Sequence, residues 1–140
     1  MQKVVEMTYT IRQKVPSQES VRCSVDNGNL NLNYRIKRVI AFPTTTSGLV
    51  FACLSTDSVS PGILGMDVTN NRQFGWIVYD PDGSDVNYLD PDHVIVQDFW
   101  IHNLANTVDL NFVIEMDTWK TSDGEAALYM LKERAQGPLE

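Results

Sequence analysis

The chain has 140 residues, 43% of them hydrophobic and 21% charged. That balance suits one domain, residues 1–140, with a core of its own, and it confines disorder to the ends. Eighteen acidic residues against 11 basic ones give a net charge of −7, the wrong sign for broad contact with nucleic-acid phosphates. No stretch approaches the roughly 20 apolar residues of a membrane span, and MQKVVEMTYT lacks the apolar run of a signal peptide.

Lys3 to Arg12 alternates. Val5, Met7, Tyr9 and Ile11 face one way, while Glu6, Thr8, Thr10 and Arg12 face the other. Side chains on a strand point to alternate faces, so this is a half-buried strand, broken at Pro16. Val21, Cys23 and Val25 repeat the pattern. Asn27-Gly28 then supplies the positive φ angles of a tight turn. Leu30, Leu32, Tyr34 and Ile36 resume it, so a hairpin centred on Asn27-Gly28 is expected. Val39 to Phe42 continues that strand past a bulge near Arg38, where the alternation slips by one.

Leu49 to Leu54 is continuously apolar and reads as a strand covered on both faces. The stretch from Thr56 to Arg72 is long for a plain loop. Its Ile63, Leu64, Met66 and Val68 form either a short strand or an exposed apolar patch, and Ile63, Leu64 and Met66 are the interface candidates. Phe74 to Tyr79 is a strong β segment ended by Asp80-Pro81-Asp82-Gly83. Val94 to Ile101 is the next strand. Val108, Leu110, Phe112, Ile114 and Met116 give the longest alternating run.

The period then changes. Ser122 precedes Glu125 by three residues, the spacing of a capping box. Good helix formers follow, and Gly137-Pro138 stops them, so a short C-terminal helix is expected over about 122–136. The last two residues, Leu139 and Glu140, carry no weight. Strands are not interleaved with helices, which disfavours a parallel α/β sheet. The expected fold is mostly β: an antiparallel β-sandwich of about eight strands, with a single jelly roll as one form of it, closed by one helix.

The chemistry-bearing residues are sparse. Asp80, Asp82 and Asp85 form the densest acidic stretch and are the calcium candidates. They fail the EF-hand pattern, because Gly83 falls too early and no bidentate Glu closes the loop, so solvated turns are the preferred reading. His93 and His102, nine residues apart on one apparent strand, would sit on opposite faces roughly 30 Å apart. That separates them as metal ligands or a catalytic pair and makes them surface or interface residues. Cys53 lies among Phe51, Ala52 and Leu54, so a buried thiol is expected rather than a nucleophile, and Cys23 reads likewise. No Ser lies in a nucleophile elbow and no Gly-rich phosphate loop is present. Trp76, Trp100 and Trp119, with Tyr79 and Tyr88, read as core before they read as a platform for sugar rings. Glu115 and Asp117 read as a solvated acidic face, and Arg35, Lys37 and Arg38 as a solvated basic one. No catalytic residue, metal or cofactor is therefore assigned.

Val94 to Gln136 carries a family resemblance. A strand pair joined at Asn103 to Thr107 leads into Asn111-Phe112-Val113-Ile114-Glu115-Met116. Thr121-Ser122-Asp123-Gly124-Glu125-Ala126 and the closing helix follow. This resembles the ending of small bacteriophage and viral structural proteins, in which a β-rich shell domain closes on a short helix. The resemblance implies a non-enzymatic capsid, spike or decoration protein, located in a virion, that assembles with itself and with other virion proteins. The net charge of −7 and the lack of a long apolar stretch lead to the expectation of no direct contact with nucleic acid or membrane. Outside that resemblance the chain reads as soluble and intracellular, and the alternative is a ligand-binding β-sandwich for glycans or calcium. Closed symmetry and a shared apolar patch are how such assemblies form.

Overall fold

A computed structural model describes residues 2–25, 32–90, 93–95 and 98–120. The helix expected over 122–136 lies outside them. The strands are β1 (Gln2–Val15), β2 (Ser20–Ser24), β3 (Leu32–Pro43), β4 (Val50–Ser55), β5 (Gln73–Tyr79), β6 (Val86–Leu89), β7 (Asp98–Asn103) and β8 (Leu110–Lys120). They form two sheets, ordered β1-β8-β3 and β2-β7-β4-β5-β6. Every ladder is antiparallel.

The pairings nest. β1 pairs with β8, β2 with β7, and β4 with β5. β3 pairs with β8 and β4 with β7, which assembles the nested pairs into sheets. At its other edge β3 is bridged by Ile95, with Tyr34 and Ile95 exchanging backbone hydrogen bonds of 2.8 Å. The segment after β6 thus leaves one sheet and touches the other.

The two inner faces share one core. Val15, Ile36, Val39, Phe112, Ile114 and Met116 come from the smaller sheet; Ala52, Leu54, Phe74, Ile77, Phe99 and Ile101 come from the larger. These are the apolar positions of the alternating runs, because a period of two places them on one face. The expected bulge is present: the β3–β8 register shifts between Ile36 and Arg38.

Three expectations are corrected. β2 and β3 lie in different sheets, so the residues around Asn27-Gly28 do not close a hairpin between them. The turn itself falls outside the described residues. Turn chemistry encodes a change of direction; the partner is chosen by burial, and the inner face of β2 (Val21, Cys23) is satisfied opposite Ile101 and Phe99 of β7. Second, Val94 to Ile101 is not one strand. Ile95 belongs to the β3 bridge and β7 begins at Asp98. Third, Val86–Leu89 forms a strand, whereas Ile63–Gly65 is a 3-10 turn.

Gly75 shows how closely the core is set. It pairs with Leu54, and a Cβ built there would lie 3.0 Å from Leu54 Cβ, Cγ and Cδ1. Gly75→Ala is expected to lower stability by about 1–3 kcal/mol in urea melts, and Leu54→Val in the same background is expected to recover part of the loss. An undisturbed Gly75→Ala protein would contradict this packing.

Candidate functional site

The outer face of the larger sheet departs from the usual rule. Antiparallel sheets with one solvated face alternate apolar-in and polar-out. Here the registers place apolar residues outward in a row across three adjacent strands, β4, β5 and β6, and Leu104, itself buried, continues the row just past the end of β7. Leu104 donates its backbone N–H to the Phe51 carbonyl (3.0 Å), Phe51 pairs with Val78, and Val78 pairs with Val86. The next row holds His102, Cys53, Trp76 and Tyr88. Val86 is 52% and Tyr88 58% exposed. The Trp76 and Tyr88 rings stack on each other, with centroids 5.9 Å apart.

Residues 56–72 fold back over part of this face as a lid. Gln73, buried at the end of the lid, holds it by its amide. Its Nε2 donates to the Gly65 carbonyl (2.8 Å), and its Oε1 accepts from the Asp67 backbone N–H (2.8 Å) and from Trp76 Nε1 (2.9 Å). At the other end, Ser55 Oγ donates to the Asp57 carbonyl (3.0 Å) and accepts from the Asp57 N–H (3.2 Å). Arg72 and Asp57 lie 3.5 Å apart, and Thr56 N–H donates to the Arg72 carbonyl, closing the lid at its base. A cavity of about 260 Å³ lies beneath, lined by Ser55, Asp57, Asn70, Arg72 and Gln73 among others.

His102 is fully buried at this base. Its Nδ1 is 2.6 Å from Ser20 Oγ and its Nε2 2.7 Å from Ser55 Oγ. Those are the distances of a serine–histidine dyad. The proton inventory, however, opposes dyad chemistry. The Ser55 hydroxyl proton is directed at the Asp57 carbonyl, so Ser55 Oγ has only a lone pair left for the ring. Nε2 therefore carries the ring proton, Nδ1 accepts from Ser20, and His102 has no basic nitrogen facing Ser55. Burial lowers its pKa, and the backbone and carboxylate of Asp57 oppose that shift.

His93 is far from this group. It is buried in the core, stacked on Phe74 with ring centroids 4.4 Å apart. Both histidines are thus interior, which corrects the expectation of surface or interface residues. Val94 is in no strand and Ile95 bridges β3, so counting residues along one strand misplaced His93. The Nε2 of His93 finds no hydrogen-bond partner among the described residues.

The other sequence candidates are placed as follows. Asp80 and Asp85 turn their carboxylates onto backbone N–H groups of the β5–β6 turn: Asp85 Oδ1 accepts from Asp80 (2.7 Å) and Asp80 Oδ1 from Asp82 (2.9 Å). No group of three or more His, Cys, Asp or Glu side chains is set to hold a metal among the described residues. Cys23 and Cys53 are buried free thiols, pushed up by desolvation to about 11 and about 12. The thiolate is therefore suppressed and neither is an activated nucleophile. Ile63 and Leu64 are exposed, Leu64 fully (102%), while Met66 is half-buried. Tyr79 packs against the core, and Trp119 stacks under Arg35, whose guanidinium carbon is 4.4 Å from the ring. On the outer face of the smaller sheet, Lys37 faces Asp117 (3.8 Å) and Arg38 faces Glu115 (3.9 Å). Asp117 is nearly buried and accepts from Thr8, so this face is a paired network rather than separate acidic and basic surfaces.

Sequence reasoning missed the outward apolar rows because Phe51 lies in a run read as covered on both faces, Val78 in a run read only as a strong β segment, and Val86 outside any expected strand. Their pairing partners supply the missing information. No family model, curated protein or solved structure matches the chain. No helix among the described residues is long and apolar enough to cross a membrane.

Burial pushes the His93 pKa down to about 4, against the opposing charge of Asp90. The fold favours neutral imidazole, so on acidification the unfolded chain binds the proton first. Stability from this group is full above pH 6.5 and is lost as the pH falls toward 4, by on the order of 3 kcal/mol. His93→Phe, which keeps a ring against Phe74, is expected to flatten that part of the profile in urea melts at successive pH values. An unchanged profile would contradict the assignment.

Proposed function

We propose that this chain is a non-enzymatic structural protein of the viral capsid, spike or decoration kind, which acts in a virion by assembling with copies of itself. The observation that carries the reading is the row Phe51, Val78 and Val86 on the outer face of the larger sheet, half-buried at Phe51 and Val78 and 52% exposed at Val86. A sheet face that alternates apolar outward is costly to leave in water, and contiguous apolar patches mark association sites.

A second copy is the occupant that fits. Copies of a chain with net charge −7 repel one another, and they approach most cheaply where charge is absent. The row and its neighbours Trp76 and Tyr88 are uncharged. Beside Leu104 lies a hollow of about 470 Å³, lined also by Pro61, Ile63 and Leu64. Leu64 projects fully into solvent at its rim. A projection beside a hollow is self-complementary under two-fold symmetry, which duplicates each contact. The lid is already held by Gln73 and Ser55, so little ordering entropy remains to be lost on contact.

The nested pairing supports a jelly-roll sandwich as the finer description of the fold. A long antiparallel ribbon rolled on itself gives the pairs β1–β8, β2–β7 and β4–β5, and the segment after β6 meets β3 through the Tyr34–Ile95 bridge. Viral capsid proteins use this architecture, as do lectins and cupins.

Light scattering over a wide concentration range is expected to give a mass above the 15.8 kDa of one chain. The double variant Val78→Glu, Val86→Glu is expected to be monomeric with an unchanged circular dichroism spectrum. A wild-type protein that stays monomeric throughout would overturn the reading.

A further inference from the structure

We infer that His102 is an acid-sensitive latch for the 56–72 lid, and that its protonation in mildly acidic solution opens the lid and loosens the face it borders. The inference names a regulation of the assembly surface proposed above, and its lid-opening part stands without that reading.

The first ground is how the lid is attached. None of residues 56–72 is buried. The lid therefore lacks an apolar anchor of its own, and segments with few buried apolar contacts open at low free-energy cost. Its hold on the sheet is polar: the Gln73 amide at one end, and at the other Ser55 bonded to both backbone groups of Asp57. Ser55 Oγ is in turn 2.7 Å from His102 Nε2, and because its own proton goes to the Asp57 carbonyl it is the acceptor of that bond. The ring thus lies directly beneath the lid's base.

The second ground is the neutral state the ring must keep. With Nε2–H donated to Ser55 and Nδ1 accepting from Ser20, one proton satisfies both nitrogens. A second proton on Nδ1 makes both nitrogens donors. Ser20 must then turn its own hydrogen away, and a cation is left in a fully buried position. Opening the lid returns that cation to water. The closed form disfavours the proton through desolvation, so acid must favour the open form.

The surrounding charges do not cancel this. The lid brings Asp57, which favours the cation, but Asp57 is shared with Arg72 at 3.5 Å. From β2 the charged residue on this face is Arg22, and on β7 it is Asp98; these two pair with each other at 2.7 Å, with Arg22 opposite Trp100 rather than His102. β4 and β5 carry no charged residue. Among the described residues Asp57 is therefore the carboxylate that acts on the ring, and its backbone and charge weaken the opposition to protonation without removing it.

The consequence for the outer face follows from continuity. The lid carries Ile63 and Leu64, and the residues after His102, Asn103 and Leu104, line the same hollow as they do. Opening the lid takes one wall from the hollow.

Native-state hydrogen exchange tests the latch directly. The probes are the Asp57 and Asp67 amides, which donate to Ser55 Oγ and Gln73 Oε1. Their protection factors, corrected for intrinsic rates, are expected to fall by about tenfold between pH 7.5 and 5.0. The β8 amides, which report global opening and include any effect of His93, are expected to change less. In His102→Gln the lid protection is expected to lose this pH dependence. Wild-type lid protection that does not fall, or that falls equally in His102→Gln, would overturn the inference. If His102→Gln does not fold, the His102 ring titration followed by NMR in the wild-type protein decides. Its midpoint must coincide with the loss of lid protection, and a separate midpoint would overturn the latch. A chain that is monomeric at every pH would remove the assembly reading and leave this test intact.

Discussion

Strand β8 is hydrogen-bonded to β1 along one edge and to β3 along the other, and among the described residues neither neighbour has another ladder partner in that sheet. Its inward residues Leu110, Phe112, Ile114 and Met116 also supply the smaller sheet's central contribution to the core. Paired positions of β1 and β8 are 95 residues apart at Val15–Leu110 and 118 apart at Gln2–Lys120, so their ladder closes a long loop before any return is gained. Such a topology forms late and as one unit. Asn103 then ties this closure to the larger sheet. Its side-chain amide donates to the carbonyls of Val15 and Val108 (2.9 and 3.0 Å), fixing the end of β1 against the turn that leads into β8. The same stretch of chain carries His102 and Leu104, so the strand that anchors the core also positions the outer-face features.

The two outer faces have opposite characters. On the smaller sheet, Lys37, Arg38, Glu115 and Asp117 pair across strands, and Arg35 covers Trp119. Exposed pairs of that kind add little stability and keep a surface soluble. On the larger sheet, part of the face lies beneath the lid, the β2–β7 edge carries the Arg22–Asp98 pair, and β4, β5 and β6 present Phe51, Val78, Val86 and Tyr88. The smaller sheet's outer face has Phe42 exposed beside its ion pairs, whereas the uncharged row on β4, β5 and β6 is contiguous across strands, and that continuity is what makes it the contact surface in the assembly proposed above.

Much of the β part was legible in the chain. The alternation of Tyr9 to Val15, of Tyr34 to Ala41 around its bulge, and of Leu110 to Met116 translates directly into inner faces, because a period of two and burial of one face determine the register of side chains. Pairing was not legible. Asn27-Gly28 is a strong local turn signal, yet β2 and β3 part into different sheets, since long-range burial outweighs local turn preference. The lid was noticed only as an over-long loop with apolar residues in it. Its anchors, Gln73 and Ser55, are unremarkable in sequence and acquire meaning only when the Ser55–Gln73 pairing brings them side by side. His102 was misplaced for a similar reason: its partners Ser20 and Ser55 come from two other strands, and spacing to the second histidine carried no information about either.

The central claim is that copies of this chain meet through the outer face of the larger sheet. Backbone NMR on serial dilution tests it most directly, because the shifts report which residues sense a neighbour. The account predicts concentration-dependent shifts concentrated at Phe51, Val78, Val86, Tyr88 and Leu104, with the charged outer face of β1, β3 and β8 unmoved. Shifts confined to β1 or β3, or none at any concentration, would contradict it.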